Sequence, residues 1–92
     1  MLVRHPHSHG LTHTEDIVEA VCHLLRMNKE IARALVAPEV WHRVRRELVG
    51  IRDPGLGFEA GRMYWHIAGV KLWLDVDVSF PSGGEEIGIE CQ

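Results

Sequence analysis

The chain has 92 residues, of which 46% are hydrophobic and 25% charged, with a formal net charge of −3 at pH 7. This length supports one domain, because each half alone would be too short to bury a core. The composition excludes a disordered chain, and no apolar run approaches the ~18 residues that a membrane span needs. The N-terminus lacks the hydrophobic segment of a signal peptide. We therefore expect a cytoplasmic protein with no membrane partner.

The N-terminal region is rich in histidine, with Pro6, Ser8 and Gly10 among the histidines. We expect residues 1–11 to form a flexible tail and residues 12–92 to form a single α+β domain. The histidines could capture a transition metal adventitiously. A structural metal site needs ligands at defined spacings on a rigid framework, so we predict no metal and no cofactor. The histidines concerned are His5, His7, His9 and His13.

The first predicted helix covers about residues 12–27. Thr12 and Glu15 have the spacing of a capping box, in which each side chain bonds the other residue's backbone N–H. Apolar residues then recur at helical spacing. Asn28 suits the cap of a second helix, over about residues 29–37.

A third helix is predicted over about residues 38–49. Pro38 disfavours helical geometry in the residue before it and suits the first turn of a new helix. Gly50 is a suitable residue to close that helix. A connector rich in glycine and proline follows, over residues 51–61.

The hydrophobic period then changes from 3.6 to 2, which predicts strands over about residues 62–68, 70–80 and 86–91. A tight turn at Ala68-Gly69 would place all the apolar residues of the first two strands on one face. A second turn is predicted over residues 81–84. The pairs expected on the opposite face are Arg62 with Asp75, Tyr64 with Trp73, and His66 with Lys71.

These elements predict an α+β fold. Three N-terminal helices would pack on one face of a C-terminal antiparallel β-meander of two to three strands, covering its apolar side. The third strand could pair with a second copy of the chain, so a monomer and a dimer both stay open.

Residues 31–48, with the sequence IARALVAPEVWHRVRREL, resemble the helix-turn-helix of DNA-binding domains. The hairpin that follows is the layout of the winged-helix variety. The resemblance implies a DNA-binding protein whose third helix contacts phosphates and base edges. The residues that would make these contacts are His42, Arg43, Arg45 and Arg46. Against this, the hairpin offers aspartates where a wing normally offers cations.

The outward face of the hairpin is the other candidate site. Tyr64 and Trp73 would form an aromatic pair on the exposed side, with Asp75 and Asp77 nearby. Aromatic side chains with a charged rim are typical of protein-binding surfaces. The same pair could equally serve only to stabilise the sheet across its strands. The acidic second half of the chain suits a partner with a basic surface.

Motifs of common enzyme classes are absent from the sequence, including the phosphate-binding loop, HExxH and the nucleophile elbow. We therefore predict no enzymatic activity and no catalytic residues. We expect a small binding or regulatory protein that acts through protein–protein contacts. Adaptor, inhibitor and accessory roles, such as those of small viral or mobile-element proteins, all fit this expectation. The alternative is a winged-helix-like DNA-binding protein.

Overall fold

A computed structural model describes residues 1–80 and 85–92. In chain order its elements are β1 (Leu2–Pro6), α1 (His13–Arg26), β2 (Ile31–Val36), α2 (Pro38–Gly50), β3 (Leu56–Glu59), β4 (Arg62–Ile67), β5 (Val70–Val76) and β6 (Glu86–Cys91).

The strands form one mixed sheet in the order β1-β6-β2-β5-β4-β3. The β2–β5 pair is parallel and the other pairs are antiparallel. The chain is thus a small single-domain α+β protein. The prediction of three helices on a meander of two to three strands is wrong, because the described residues hold two helices and six strands.

The predicted second helix, over residues 29–37, is the largest of these errors. Ile31–Val36 instead forms β2, between β6 and β5. Its alanine, arginine and leucine residues favour a helix locally. Pairing on both sides and burial of its last three residues override that preference. Of the stretch that resembles a helix-turn-helix, residues 38–48 are helical and residues 31–36 are not.

The predicted meander fails because β5 and β6 are not neighbours in the sheet. β6 has the expected bounds, yet it pairs antiparallel with both β1 and β2. The strand expected over residues 70–80 ends at Val76. The turn predicted over residues 81–84 lies outside the described residues.

Two further strands lie where a tail and a connector were expected. β1 is an edge strand, and the amino group of Met1 donates to the carbonyl of Cys91 at 2.9 Å. β3 forms the opposite edge, and its hairpin with β4 turns at Ala60 and Gly61, both with positive φ. A tight two-residue turn of this kind needs left-handed geometry at both central positions.

The predicted register of the β4–β5 hairpin is confirmed. Tyr64 lies opposite Trp73, and the apolar residues Met63 and Leu74 form a pair on the other face. The turn is the expected one, with φ values of 50° at Ala68 and 82° at Gly69.

The capping box of α1 is also confirmed. Thr12 Oγ1 accepts from the Glu15 N–H, and the Thr12 N–H donates to Glu15 Oε2, both at 3.1 Å. At the other end, Asn28 adopts φ 59° and ends α1 rather than beginning a new helix. The N–H of Lys29 bonds the Leu24 carbonyl, which completes a Schellman-type C-terminus.

Both helices pack on the same face of the sheet. The buried residues of α1 and α2 join alternate residues of the strands in one core, in which Leu48, Met63 and Leu72 are fully buried. The other sheet face is therefore covered by neither α1 nor α2, and we call it the open face. Within residues 1–80 and 85–92, neither helix has the length and apolarity needed to cross a membrane.

Candidate functional site

The centre of the candidate site is an aromatic pair on the open face. Tyr64 of β4 and Trp73 of β5 are half-buried, with their ring centroids 5.4 Å apart and their planes at 72°. This edge-to-face geometry is favourable for aromatic rings. The structure thus brings together two of the residues that the sequence predicted as a site.

Two cations hold the rings of this pair in position. The Arg62 guanidinium lies 4.3 Å from the centroid of Trp73. The Lys71 ammonium lies 4.4 Å from the centroid of Tyr64 and 4.7 Å from that of Trp73. Lys71 also pairs with Glu59 at 3.0 Å. The contact of a cation with a ring face is attractive, by about 0.5–1 kcal/mol at an exposed site, and favours this arrangement of the side chains.

Gly57 of β3 makes room for the Tyr64 ring. The two residues are paired across β3 and β4, and the ring lies directly over the glycine. A Cβ atom at position 57 would overlap the ring. The missing side chain therefore lets Tyr64 lie flat on the edge of the open face.

Asp75 lies beside the aromatic pair and joins two arginines. Arg62 donates to both of its carboxylate oxygens, from Nε at 3.0 Å and from Nη2 at 2.5 Å. Arg33 of β2 donates from Nη1 at 3.4 Å, and it also donates to Glu90 of β6 at 3.0 Å. A chain of four charges therefore crosses four neighbouring strands.

This network shifts the pKa of the Asp75 carboxyl. Burial raises that pKa, but the hydrogen bonds and charges of Arg62, and then of Arg33, outweigh burial and hold it below the ordinary 3.8. The Glu90 hydrogen bond raises the pKa of Arg33, and the Asp75 hydrogen bond raises that of Arg62. The carboxylates of Asp75 and Glu90 are thus balanced within the chain, and the open face is not the acidic surface expected from the sequence.

Asp77, the fourth predicted site residue, lies beyond the end of β5. Its carboxylate accepts from the Ser79 hydroxyl at 2.6 Å and from the Ser79 N–H at 2.9 Å. These two hydrogen bonds, the hydroxyl first, lower the pKa of Asp77. Asp77 therefore stabilises a local turn, and the structure does not join it to the aromatic pair.

Sequence reasoning missed Arg33 and Glu90 as parts of the site. The sequence pattern predicts a helix at Arg33, whereas its contact with Glu90 depends on β2 lying between β5 and β6. Phe80 was also missed. Its ring lies over Gly88 on the open face, with the Arg4 guanidinium 4.9 Å from the ring centroid. Its parity with Leu72 and Leu74 predicts the helix side of the sheet instead, and that prediction fails because β5 ends at Val76.

The second candidate surface is the outward side of α2. His42, Arg43, Arg45 and Arg46 are all exposed there, as the basic pattern of the helix predicts. Arg43 donates to His13 Nδ1 at 3.3 Å, and Arg45 lies over the ring of Phe58 at 5.6 Å. In the described part of the chain, none of these three arginines forms an ion pair with a carboxylate.

The histidine-rich segment is held against α1. The ring of His7 bonds the carboxylate of Asp16, which is fully buried, and stacks on His13 at 4.1 Å between centroids. The N–H of Ser8 also reaches Asp16, at 3.3 Å. No cluster of three or more potential ligands for a metal ion occurs among residues 1–80 and 85–92. This cluster therefore anchors the N-terminal segment to the domain.

No protein-family model, no curated protein and no solved structure matches this chain.

Proposed function

We propose that this is a small, non-enzymatic binding protein that recognises another protein through the open face of its sheet. The observation that carries the proposal is the half-exposed Tyr64–Trp73 pair, which Arg62 and Lys71 hold in a fixed geometry. A protein-binding hot spot typically combines aromatic and arginine side chains in this way.

The positioning of these side chains before a partner binds favours binding for a second reason. Rings and guanidinium groups that are already fixed lose little conformational entropy when a partner covers them. The charges of Asp75 and Arg62 also balance each other, so we expect recognition to depend on aromatic and apolar contact more than on net charge. A partner with a complementary rim of mixed charge fits this surface better than a strongly basic one.

Affinity capture with paired variants tests this proposal. The immobilised full chain is exposed to a lysate of its native cells, beside the Trp73→Ala variant and the Trp73→Ala, Asp75→Lys double variant. We expect a discrete partner to bind the unchanged chain and to be lost with both variants. Circular dichroism checks that the variants stay folded, since Asp75→Lys also disturbs its arginine partners.

A matched control is the Val78→Ala variant, because Val78 is 84% exposed and follows β5 outside the aromatic pair. We expect this variant to retain the partner. Capture that persists in Trp73→Ala, or that Val78→Ala removes equally, contradicts the proposal.

DNA binding through α2 stays an alternative prediction. The exposed arginines support it, whereas the strand at residues 31–36 leaves α2 without the first helix of a helix-turn-helix. Anisotropy of labelled duplex DNA at ~50 and ~200 mM salt tests it, because phosphate contacts weaken steeply with salt. Flat titrations at both salt concentrations would rule it out.

A further inference from the structure

A shallow groove runs along the outward side of α2, on the side of the sheet opposite the open face. Its lining residues are His42, Arg45, Arg46, Val49 and Gly50. Their spacing of three and four residues forms one stripe, about 10 Å long at the rise of an α-helix. Gly50 leaves a gap in the stripe, since no heavy atom lies within 4 Å of a Cβ built there.

Apolar side chains are exposed in this groove, beside its Arg45 and just after the end of α2. Val49 is 52% exposed, Ile51 is 71% exposed and Phe58 of β3 is 51% exposed. Phe58 shares the helix side of the sheet with Met63, its pair on β4, and Arg45 covers part of its ring. Exposed apolar side chains grouped beside a groove are typical of a binding surface.

The groove is also positively charged. Its lining residues Arg45 and Arg46 are exposed, and neither of them pairs with a carboxylate in the described part of the chain. Glu47 lies beside Arg46 on the adjoining side of the helix, where one of its carboxylate oxygens is buried. A partner must therefore supply negative charge as well as apolar area.

We propose that this α2 groove binds an acidic amphipathic helix of a partner protein. The side chains at positions 42, 45, 46 and 49 line the groove at helical spacing, so a ridge of side chains on a second helix can pack between them. The carboxylates of that helix would accept bidentate hydrogen bonds from the arginines. Its apolar side would cover Val49, Ile51 and Phe58. This surface is separate from the open face, so the chain would carry two independent binding surfaces.

The apolar part of the groove favours a helix of this kind over duplex DNA. Phosphates satisfy arginines but offer no apolar surface to Val49, Ile51 and Phe58. Nucleic-acid interfaces are also more polar and more positively charged than protein–protein interfaces, whereas this chain has a net charge of −3.

The test is an NMR titration of the ¹⁵N-labelled full chain with a synthetic helical peptide of about 20 residues, a length that can hold a helix. The peptide carries glutamates and leucines on adjoining faces. We expect saturable shift changes in the amides of Arg45, Val49 and Phe58, and none at Tyr64 or Trp73. Because the expected changes exclude the open face, failure here leaves the proposed function intact.

Two sets of variants separate the contributions of charge and apolar contact. Arg45→Glu with Arg46→Glu is expected to abolish the shifts. Val49→Ser with Ile51→Ser is expected to weaken binding about tenfold, as loss of central contacts does at protein interfaces. The control is Arg26→Glu with Lys29→Glu at the end of α1, which makes the same change of charge and is expected to bind normally.

Three results would overturn the proposal. One is the absence of shifts in the groove at millimolar peptide. Another is equal weakening by the control variant, which would indicate a non-specific charge effect. The last is tight binding of duplex DNA to the same residues with no loss in Val49→Ser, Ile51→Ser, which would make the groove a nucleic-acid site.

Discussion

Asp75 has a greater effect on the candidate site than any neighbouring carboxylate, because it fixes two arginines at once. Its side chain is 17% exposed and accepts three hydrogen bonds, two from Arg62 and one from Arg33. Arg62 in turn lies over Trp73. The orientation of the indole therefore depends on a carboxylate on the same strand two residues away.

This arrangement predicts how stability depends on pH. The pKa of Asp75 in the folded chain lies below 3.8, so its carboxylate contributes stability that is complete above the unfolded pKa and is lost as pH falls through the folded one. We expect Asp75→Asn to lower the free energy of unfolding at pH 7 by about 1 kcal/mol, since both arginines are partly exposed.

Urea denaturation at pH 7 and at about pH 3, near the lower end of ordinary carboxyl titration, checks this expectation. The difference between Asp75→Asn and the unchanged chain should shrink as the pH falls. A difference of the same size at both pH values would show that the ionised form of Asp75 adds nothing to stability.

At the scale of the elements, the end of α2 differs from the one that the residue pattern predicts. Gly50 was predicted to close the helix that became α2, but it is the last helical residue. The left-handed position is Arg52, with φ 53°. The N–H of Asp53 bonds the Leu48 carbonyl, as in a Schellman-type end.

Arg52→Gly is therefore expected to stabilise the chain. A left-handed residue with a side chain costs about 1–2 kcal/mol, and the greater freedom of glycine in the unfolded chain offsets part of that, leaving a gain of about 0.5–1 kcal/mol. Thermal and urea unfolding measure the gain. The matched control is Arg46→Gly within α2, which should destabilise by about 1 kcal/mol. A loss of stability in Arg52→Gly would contradict the assigned helix end.

The β4–β5 hairpin could be predicted because its alternation is complete on both faces. One register alone places the apolar residues of both strands on one face, with Met63 opposite Leu74, and the remaining residues on the other, with Tyr64 opposite Trp73. β2 gave no such signal. It lies inside the sheet, its last three residues are buried, and its residues favour a helix when isolated. A strand of this kind is recognised only through its partners in the fold.

At the scale of the whole molecule, the wrong prediction of a helix at β2 led to most of the other wrong predictions of the fold. With β2 taken as a helix, the sheet lacked the strand that separates β5 from β6. The contact of Arg33 with Glu90 could not then be anticipated. The pairing of Tyr64 with Trp73 was still predicted correctly, because both residues belong to one local hairpin. The charge network around them depends on four strands lying in the correct order.

The molecule as a whole presents two unlike surfaces. The open face combines aromatic rings with balanced charge, and the α2 groove combines exposed arginines with apolar side chains. Because the helices and the core lie between them, a substitution on one surface should leave the other unchanged.

The most direct test of the open face is site-specific photocrosslinking in native cells. A photoreactive residue replaces His66, which is exposed on this face beside Tyr64, and a second chain carries it at Met27 beyond α1. Binding of a partner at the open face should give one discrete protein adduct from position 66, its loss when Trp73→Ala is added, and no such adduct from position 27. An adduct at position 66 that Trp73→Ala leaves unchanged, or no adduct there at all, would contradict it.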